Sequence, residues 1–364
     1  MRKAALASVL CLALAACSGS PAPETAGARE ETAAETAAAE DGAEAEEETY
    51  ARVRVCIVCP GNLGDGSIND SCSMGAQKAA RDFGIELDSL EGRTADEWKA
   101  NVLAACDSGY DLVIGVSPQI AGYIEEYAPE YPDTRFAVID GTADLPNAVS
   151  VSFAQDEGFF LAGAAAAMFT QKTGIDGVNE ENTIGWVGGT DSPELRGLYS
   201  CYEQGAKYID PDIRILQSFA DDPEDPAMGK ELALAQYDGG ADIVMNAAFT
   251  DGTGILEAAK EAGRYAVGSG TDQDSVQPGS VLTSVVKHYD SACYLVIRSA
   301  ADGTFEGGTK LRTGLSDGGI SLTDFSVMRK ALGDRFPQDI PEKTEELKEK
   351  IISGEIPAGY QNGK

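Results

Sequence analysis

The chain has 364 residues, with 60 Asp plus Glu against 28 Lys plus Arg, one His and a formal net charge of −32. No basic tract occurs anywhere, and a nucleic-acid binder needs a cationic face to displace counterions from phosphates, so nucleic acid is excluded as a partner. The acidity favours solubility and disfavours anionic surfaces, but it does not identify a ligand.

In chain order, Arg2-Lys3 and the apolar run from Ala4 to Ala16 come first. The run is too short to span a bilayer and has the layout of a secretory signal: basic start, apolar middle, small residues before a cut. Its ending, Leu14-Ala15-Ala16-Cys17, resembles the bacterial lipobox. That resemblance implies a lipoprotein signal over 1–17, acylation at Cys17, and an extracytoplasmic protein held to the cell membrane by lipid. Residues 18–49 are almost wholly Ala, Glu, Thr, Pro, Gly and Ser, without an aromatic or branched aliphatic side chain. Such a segment cannot recover its ordering entropy by burial, so an acidic, disordered tether is expected.

From Tyr50 onward, apolar β-branched runs alternate with amphipathic stretches. Strands are expected at Val53–Val58, Leu112–Val116, Phe136–Ile139, Thr183–Val187, Ile213–Phe219, Ile243–Ala247 and Tyr265–Val267. Helices are expected from Asn69 to Phe83 and at Ile120–Tyr127, Phe159–Phe169, Leu195–Ile209, Ala227–Tyr237 and Gly254–Ala262. Strands alternating with helices of this length mean βαβ units and mainly parallel sheets. Two such series make an α/β protein of two lobes, each a mainly parallel sheet flanked by helices.

Cys56, Cys59, Cys72, Cys106, Cys201 and Cys293 follow the signal. Cys56 and Cys59 are three apart in a strand and point to opposite faces, which suits neither a redox pair nor a zinc knuckle. With His288 as the sole imidazole, no metal site is expected. His288 itself, placed in a late strand, reads as structural. Whether the thiols are paired or free stays open at this level.

In doubly wound sheets, ligands sit beyond the carboxyl ends of the strands. The loops there span 61–69, 115–118, 140–142, 188–192, 249–254 and 269–273. None is a P-loop, because Gly229-Lys230 is followed by Glu231, and Gly115-Val116-Ser117 lacks the second glycine of a nucleophile elbow. No cofactor and no enzymatic activity are expected. What remains is a set of short polar groups with one aromatic: Asp65, Asn69, Asp70, Ser117, Asp140, Phe249, Thr250, Gly252, Asp272 and Lys287. Carboxylates and amides suit sugar hydroxyls while an aromatic face stacks on a base. The same residues also have local uses, Asn69 and Asp70 as helix caps and Asp140-Gly141 as a turn.

Six segments in order resemble the basic membrane protein family, purine-nucleoside-binding lipoproteins of ABC-type importers. They begin with Asp65-Gly66-Ser67-Ile68-Asn69-Asp70-Ser71, Phe136-Ala137-Val138-Ile139-Asp140-Gly141 and Asp156-Glu157-Gly158-Phe159-Phe160-Leu161-Ala162-Gly163. Ile184-Gly185-Trp186-Val187-Gly188-Gly189, Gly239-Gly240-Ala241-Asp242-Ile243 and Val281-Leu282-Thr283-Ser284-Val285-Val286-Lys287 complete the series. The resemblance implies the two-lobed periplasmic-binding fold, closing on ligand, with lobe one over 52–152 and 282–307 and lobe two over 153–281 and 308–356. It implies ligand contacts at Asp65, Asn69 and Asp140, a base-stacking role for Phe249, and Lys287 near the ribose. Ile68 stands where the family has a second aromatic, and Gly270 where it has a ribose-binding carboxylate. The implied function is a monomeric, lipid-anchored binding protein that hands a purine nucleoside to an ABC permease. The alternatives are a sugar or sugar-derived signal as ligand, or an extracytoplasmic enzyme acting on nucleosides.

Overall fold

The computed structural model describes residues 50–220, 225–248 and 252–359. The expected signal, Cys17 and the acidic tether lie outside the described residues, as do Phe249 and Thr250.

Two six-stranded sheets organise the chain. Sheet one contains β1 (Arg54–Pro60), β2 (Glu86–Gly92), β3 (Leu112–Val116), β4 (Arg135–Ile139), β5 (Ala148–Phe153) and β11 (Lys310–Thr313), in the order β11-β5-β4-β3-β1-β2. All its pairings are parallel. The inner strands are mostly buried, β3 wholly so, whereas β2 and β11 are polar and partly exposed, which fits them for the two edges.

The connections of sheet one are α1 (Ile68–Phe83), α2 (Ala95–Asp107) and α3 (Pro118–Tyr127). Cys59 and Cys72 share a core with α1, while Cys56 and Cys106 lie in the separate core under α2 and α3. Cys56 and Cys59 thus face opposite sides of their strand, as the two-residue period requires. All six cysteines in the described residues are free and buried, and burial raises Cys56 and Cys59 to about 12, so they behave as apolar groups.

Sheet two takes β6 (Thr183–Gly188), β7 (Arg214–Phe219), β8 (Ile243–Ala247), β9 (Tyr265–Gly270), β10 (Val281–Lys287) and β12 (Ile320–Leu322), in the order β12-β10-β9-β8-β6-β7. Only β12 runs antiparallel to its neighbour. One face carries α4 (Gln155–Thr170) and α5 (Pro193–Ile209); the other carries α6 (Pro226–Asp238) and α7 (Gly252–Glu261). After β10 come α8 (Tyr289–Ala301), which packs on α1, then α9 (Ser326–Leu332) and α10 (Asp339–Ile352).

Two segments differ from the expected division. Residues 282–287, expected with lobe one, form an inner strand of sheet two, where β10 is buried on both faces and paired on both edges. Residues 310–313, expected with lobe two, form the polar edge of sheet one. His288 is not in a strand. It is the residue before α8, and its Nε2 lies 2.9 Å from Ser321 Oγ.

The chain therefore passes between the sheets three times: from β5 into α4, from β10 into α8, and from β11 to β12. The first and third crossings are tied together. Arg312 of β11 bonds the Asp156 carboxylate at the start of α4, and Glu157 Oε2 accepts Leu315 N–H at 2.8 Å.

Candidate ligand site

The strand order reverses beside β1 and β3 in sheet one and beside β6 and β8 in sheet two, which are the places where open α/β sheets leave a crevice. Two consecutive strands of sheet one end there in non-glycine residues with left-handed backbone, Ser117 at φ 75° and Asp140 at φ 61°. Such conformations are costly for L-residues and cluster where a structure over-determines them for function. Ser117 is buried, its N–H donates to Ile139 O at 2.8 Å, and its Oγ bonds Gln119 Oε1. Asp140 N–H donates to Val151 O at 2.8 Å.

The Asp140 carboxylate reaches across to sheet two. Lys287 Nζ, at the end of β10, lies 2.6 Å from Asp140 Oδ2, and both side chains are largely withdrawn from water, at 6% and 18% exposure. The Tyr289 hydroxyl donates to the same Oδ2 at 3.2 Å. Burial, with Asp140 beside it, holds the Tyr289 phenol well above its ordinary pKa, so it keeps its proton and acts as a donor.

The loop before α1 uses its carboxylates locally. Asp65 accepts from Ser67 N–H at 2.8 Å and from Asn69 and Asp70 N–H at 3.2 Å each, so it caps α1 in place of Ser67, which makes no side-chain cap bond. Asp70 accepts from Gly64 N–H at 2.6 Å and Gly66 N–H at 2.8 Å. Of the three polar groups expected here, Asn69 alone keeps a polar atom in reserve: it is buried, its Nδ2 is 3.4 Å from Pro60 O, and Oδ1 has no protein partner among the described residues. Ile68 is half-buried against the core beneath α1.

On sheet two, a small cavity lies at the strand ends. Phe159 of α4, Leu195 and Leu198 of α5, Ala247 and Val285 make its apolar wall. Gln155, Ser269, Gly270 and Lys287 make its polar side. Gly270 has φ 89° with open space where a Cβ would stand, so a side chain there meets backbone strain and no clash. Asp272 is exposed and turned to its own loop, accepting Asp274 N–H at 3.0 Å. Gln273 Oε1 accepts from Asn246 Nδ2 at 3.1 Å and Ser269 N–H at 3.0 Å, which fixes the loop to β8. Gly252, buried at the start of α7, leaves no room for a Cβ, which would lie 2.0 Å from Asn246 Nδ2.

The structure thus brings Asp140, Lys287 and Gly270 to the cleft and turns Asp65, Asp70 and Asp272 toward their own loops. It adds Tyr289, Gln155, Phe159, Leu195, Leu198, Ser269 and Val285. Phe159, Leu195 and Leu198 carry the ordinary apolar signal of helix cores and offer no pattern that marks a cleft wall. Ser269 falls in 269–273, expected to be a loop facing the ligand, and the structure places it in β9. Among the described residues, no group of three His, Cys, Asp or Glu is placed to hold a metal ion.

The Bmp family, described as ABC transporter substrate-binding protein PnrA-like, matches residues 52–362. The chain belongs to this family. Among its curated relatives, the CD4+ T-cell-stimulating antigen of Listeria monocytogenes is 29% identical, over 81% of this chain and 85% of that one. Basic membrane protein A of Borreliella burgdorferi is also 29% identical, over 83% of this chain and 86% of its own length. An ABC transporter system solute-binding protein from Aeropyrum pernix superposes with a TM-score of 0.71 at 26% identity, covering 84% of this chain and 92% of that chain. The Bmp-family chain described here is therefore a substrate-binding subunit of ABC transport, and the two-lobed α/β fold is that of its solute-binding relatives.

Proposed function

We propose that this Bmp-family chain is a lipid-anchored extracytoplasmic binding protein that takes up a purine nucleoside between its lobes and delivers it to an ABC permease. The observation that carries the reading is the buried Asp140–Lys287 pair, contributed by opposite sheets at the strand ends. Groups from both lobes at one place suit a ligand that favours the closed state by touching both. The apolar wall of Phe159, Leu195 and Leu198 beside Gln155 and Ser269 supports a ligand with both a flat ring and hydroxyls. The ordered sequence segments support the nucleoside, with Phe249 as the stacking residue.

Mass spectrometry of the small molecule released from purified, denatured protein is expected to identify a purine nucleoside. Calorimetry on the unliganded protein is expected to show inosine, guanosine or adenosine binding, with Phe249→Ala weakening it by roughly 1–3 kcal/mol, the range for base–aromatic stacking. If a simple pentose or hexose binds and no purine nucleoside does, the heterocycle is wrong and the sugar reading takes its place. Product formation from a nucleoside would instead show an enzyme.

The anchor rests on Leu14-Ala15-Ala16-Cys17 and on the membrane-protein names of several relatives. Cys17→Ala is expected to leave the folded part intact while moving the protein from the membrane fraction to the soluble envelope fraction or medium. Unchanged fractionation would remove the lipid anchor from the proposal.

A further inference from the structure

Both protein donors that reach the Asp140 side chain end on one oxygen, Oδ2: Lys287 Nζ at 2.6 Å and the Tyr289 hydroxyl at 3.2 Å. No donor among the described residues reaches Oδ1. Oδ1 is also not among the fully buried polar atoms that lack a partner, so it is an acceptor that solvent still reaches, on a side chain 18% exposed. The two donors on Oδ2 hold Asp140 against the turn about its Cβ–Cγ bond that would exchange the carboxylate oxygens. Its backbone is held at φ 61° by the bond from Asp140 N–H to Val151 O.

Tyr289 is itself fixed. It is 5% exposed, its ring meets Phe153 edge-on at 5.1 Å between centroids and 76° between planes, and Lys287 Nζ lies 5.5 Å from its ring centre. It stands two residues past Lys287, on the far side of the β10–α8 crossing. One crossing segment therefore supplies both donors to Oδ2.

We infer that Tyr289 is a positioning residue of the ligand site: by donating to Asp140 Oδ2 beside Lys287, it leaves Oδ1 as one fixed acceptor that selects ligands presenting a hydrogen-bond donor there. A site built around a fixed acceptor rejects an analogue that lacks the matching donor, because the acceptor is then desolvated with nothing in return. The inference rests on the nucleoside reading only for the choice of probes.

The test uses the full chain with inosine, its 2′-, 3′- and 5′-deoxy forms and 1-methylinosine, each analogue removing one donor. Wild type is expected to bind one of the four analogues at least about tenfold more weakly than inosine. Tyr289→Phe keeps the ring and its Phe153 contact. It is expected to weaken inosine several-fold and to shrink the penalty on that one analogue, since the carboxylate can now turn. A purely structural role would weaken all five ligands by one common factor and overturn the inference, as would a wild type that does not discriminate among them. A double-mutant cycle between Tyr289→Phe and Asp140→Asn in the ligand-free protein is expected to show coupling of at least about threefold in the unfolding constant. Absence of coupling overturns the inference whatever the ligand. If no inosine derivative binds wild type, the nucleoside reading fails and the cycle alone decides the role of Tyr289.

Discussion

Lys287→Met is expected to lower the stability of the folded part by roughly 3 kcal/mol and to abolish ligand binding. The substitution keeps the apolar stem and removes only the ammonium, so packing along the side chain is nearly preserved. What it leaves is the Asp140 carboxylate, mostly withdrawn from water and held there by a left-handed backbone that cannot easily swing it out. Removing one member of a buried pair costs more than the pair itself is worth, because the survivor stays desolvated. The Tyr289 hydroxyl still donates and 18% of the Asp140 side chain is still exposed, which puts the loss at the low end of the usual range. The sign of a second change is the sharper test. Adding Asp140→Asn removes the stranded charge, and Asn is among the few residues that tolerate positive φ. The double variant is therefore expected to recover part of the lost stability in urea denaturation while still failing to bind. A double variant less stable than Lys287→Met would show that the pair does not carry the cost.

The parts of this fold that were legible in the sequence are those whose burial is complete. Leu112–Val116 and Ile243–Ala247 are wholly buried, the first an unbroken apolar run and the second broken only by Asn246, and the structure places both to the residue. β2 was not legible because its sequence, ELDSLEG, is that of an exposed edge. α2 escaped for a different reason. Its apolar face is narrow, with Val102, Ala105 and Cys106 buried, yet a capping box of Thr94 and Glu97 stands at its start and would have announced it. The two exchanged segments followed the same logic: strand identity within a sheet depends on which edges are free, a tertiary fact that no local pattern records.

At the site, residue types were legible and their partners were not. Asp65, Asp70 and Asp140 look alike in sequence as carboxylates in post-strand loops. Two of them accept backbone N–H groups from their own loop, and the third meets a lysine 147 positions away. Tyr289 gave no signal beyond being an aromatic near a strand end. Its importance comes only from the crossing that brings it to the carboxylate already held by Lys287.

Gly163→Ala and Gly205→Ala, one on each of α4 and α5, are expected to destabilise the protein by roughly 2–3 kcal/mol apiece, against the direction that helix propensity alone would give. In an ordinary helix, replacing Gly by Ala gains up to about 1 kcal/mol. Here a Cβ on Gly163 would stand 1.9 Å from Tyr202 O, and one on Gly205 would stand 1.8 Å from Phe160 O. The obstacles are backbone carbonyls in the facing helix, so no rotamer change relieves them and the helices must move apart. That separation would loosen the ring contacts of Trp186 with Phe159 at 5.4 Å and with Tyr202 at 5.6 Å, and would displace the cleft wall that Phe159, Leu195 and Leu198 share. Loss of binding should therefore accompany loss of stability, although neither glycine touches the cleft. Because one separation accommodates both methyl groups, the double variant is expected to cost clearly less than the sum of the singles. Denaturation midpoints at or above wild type for either single variant would mean that α4 and α5 do not pack backbone to backbone. A strictly additive double would mean that the two contacts are independent and not one shared close approach.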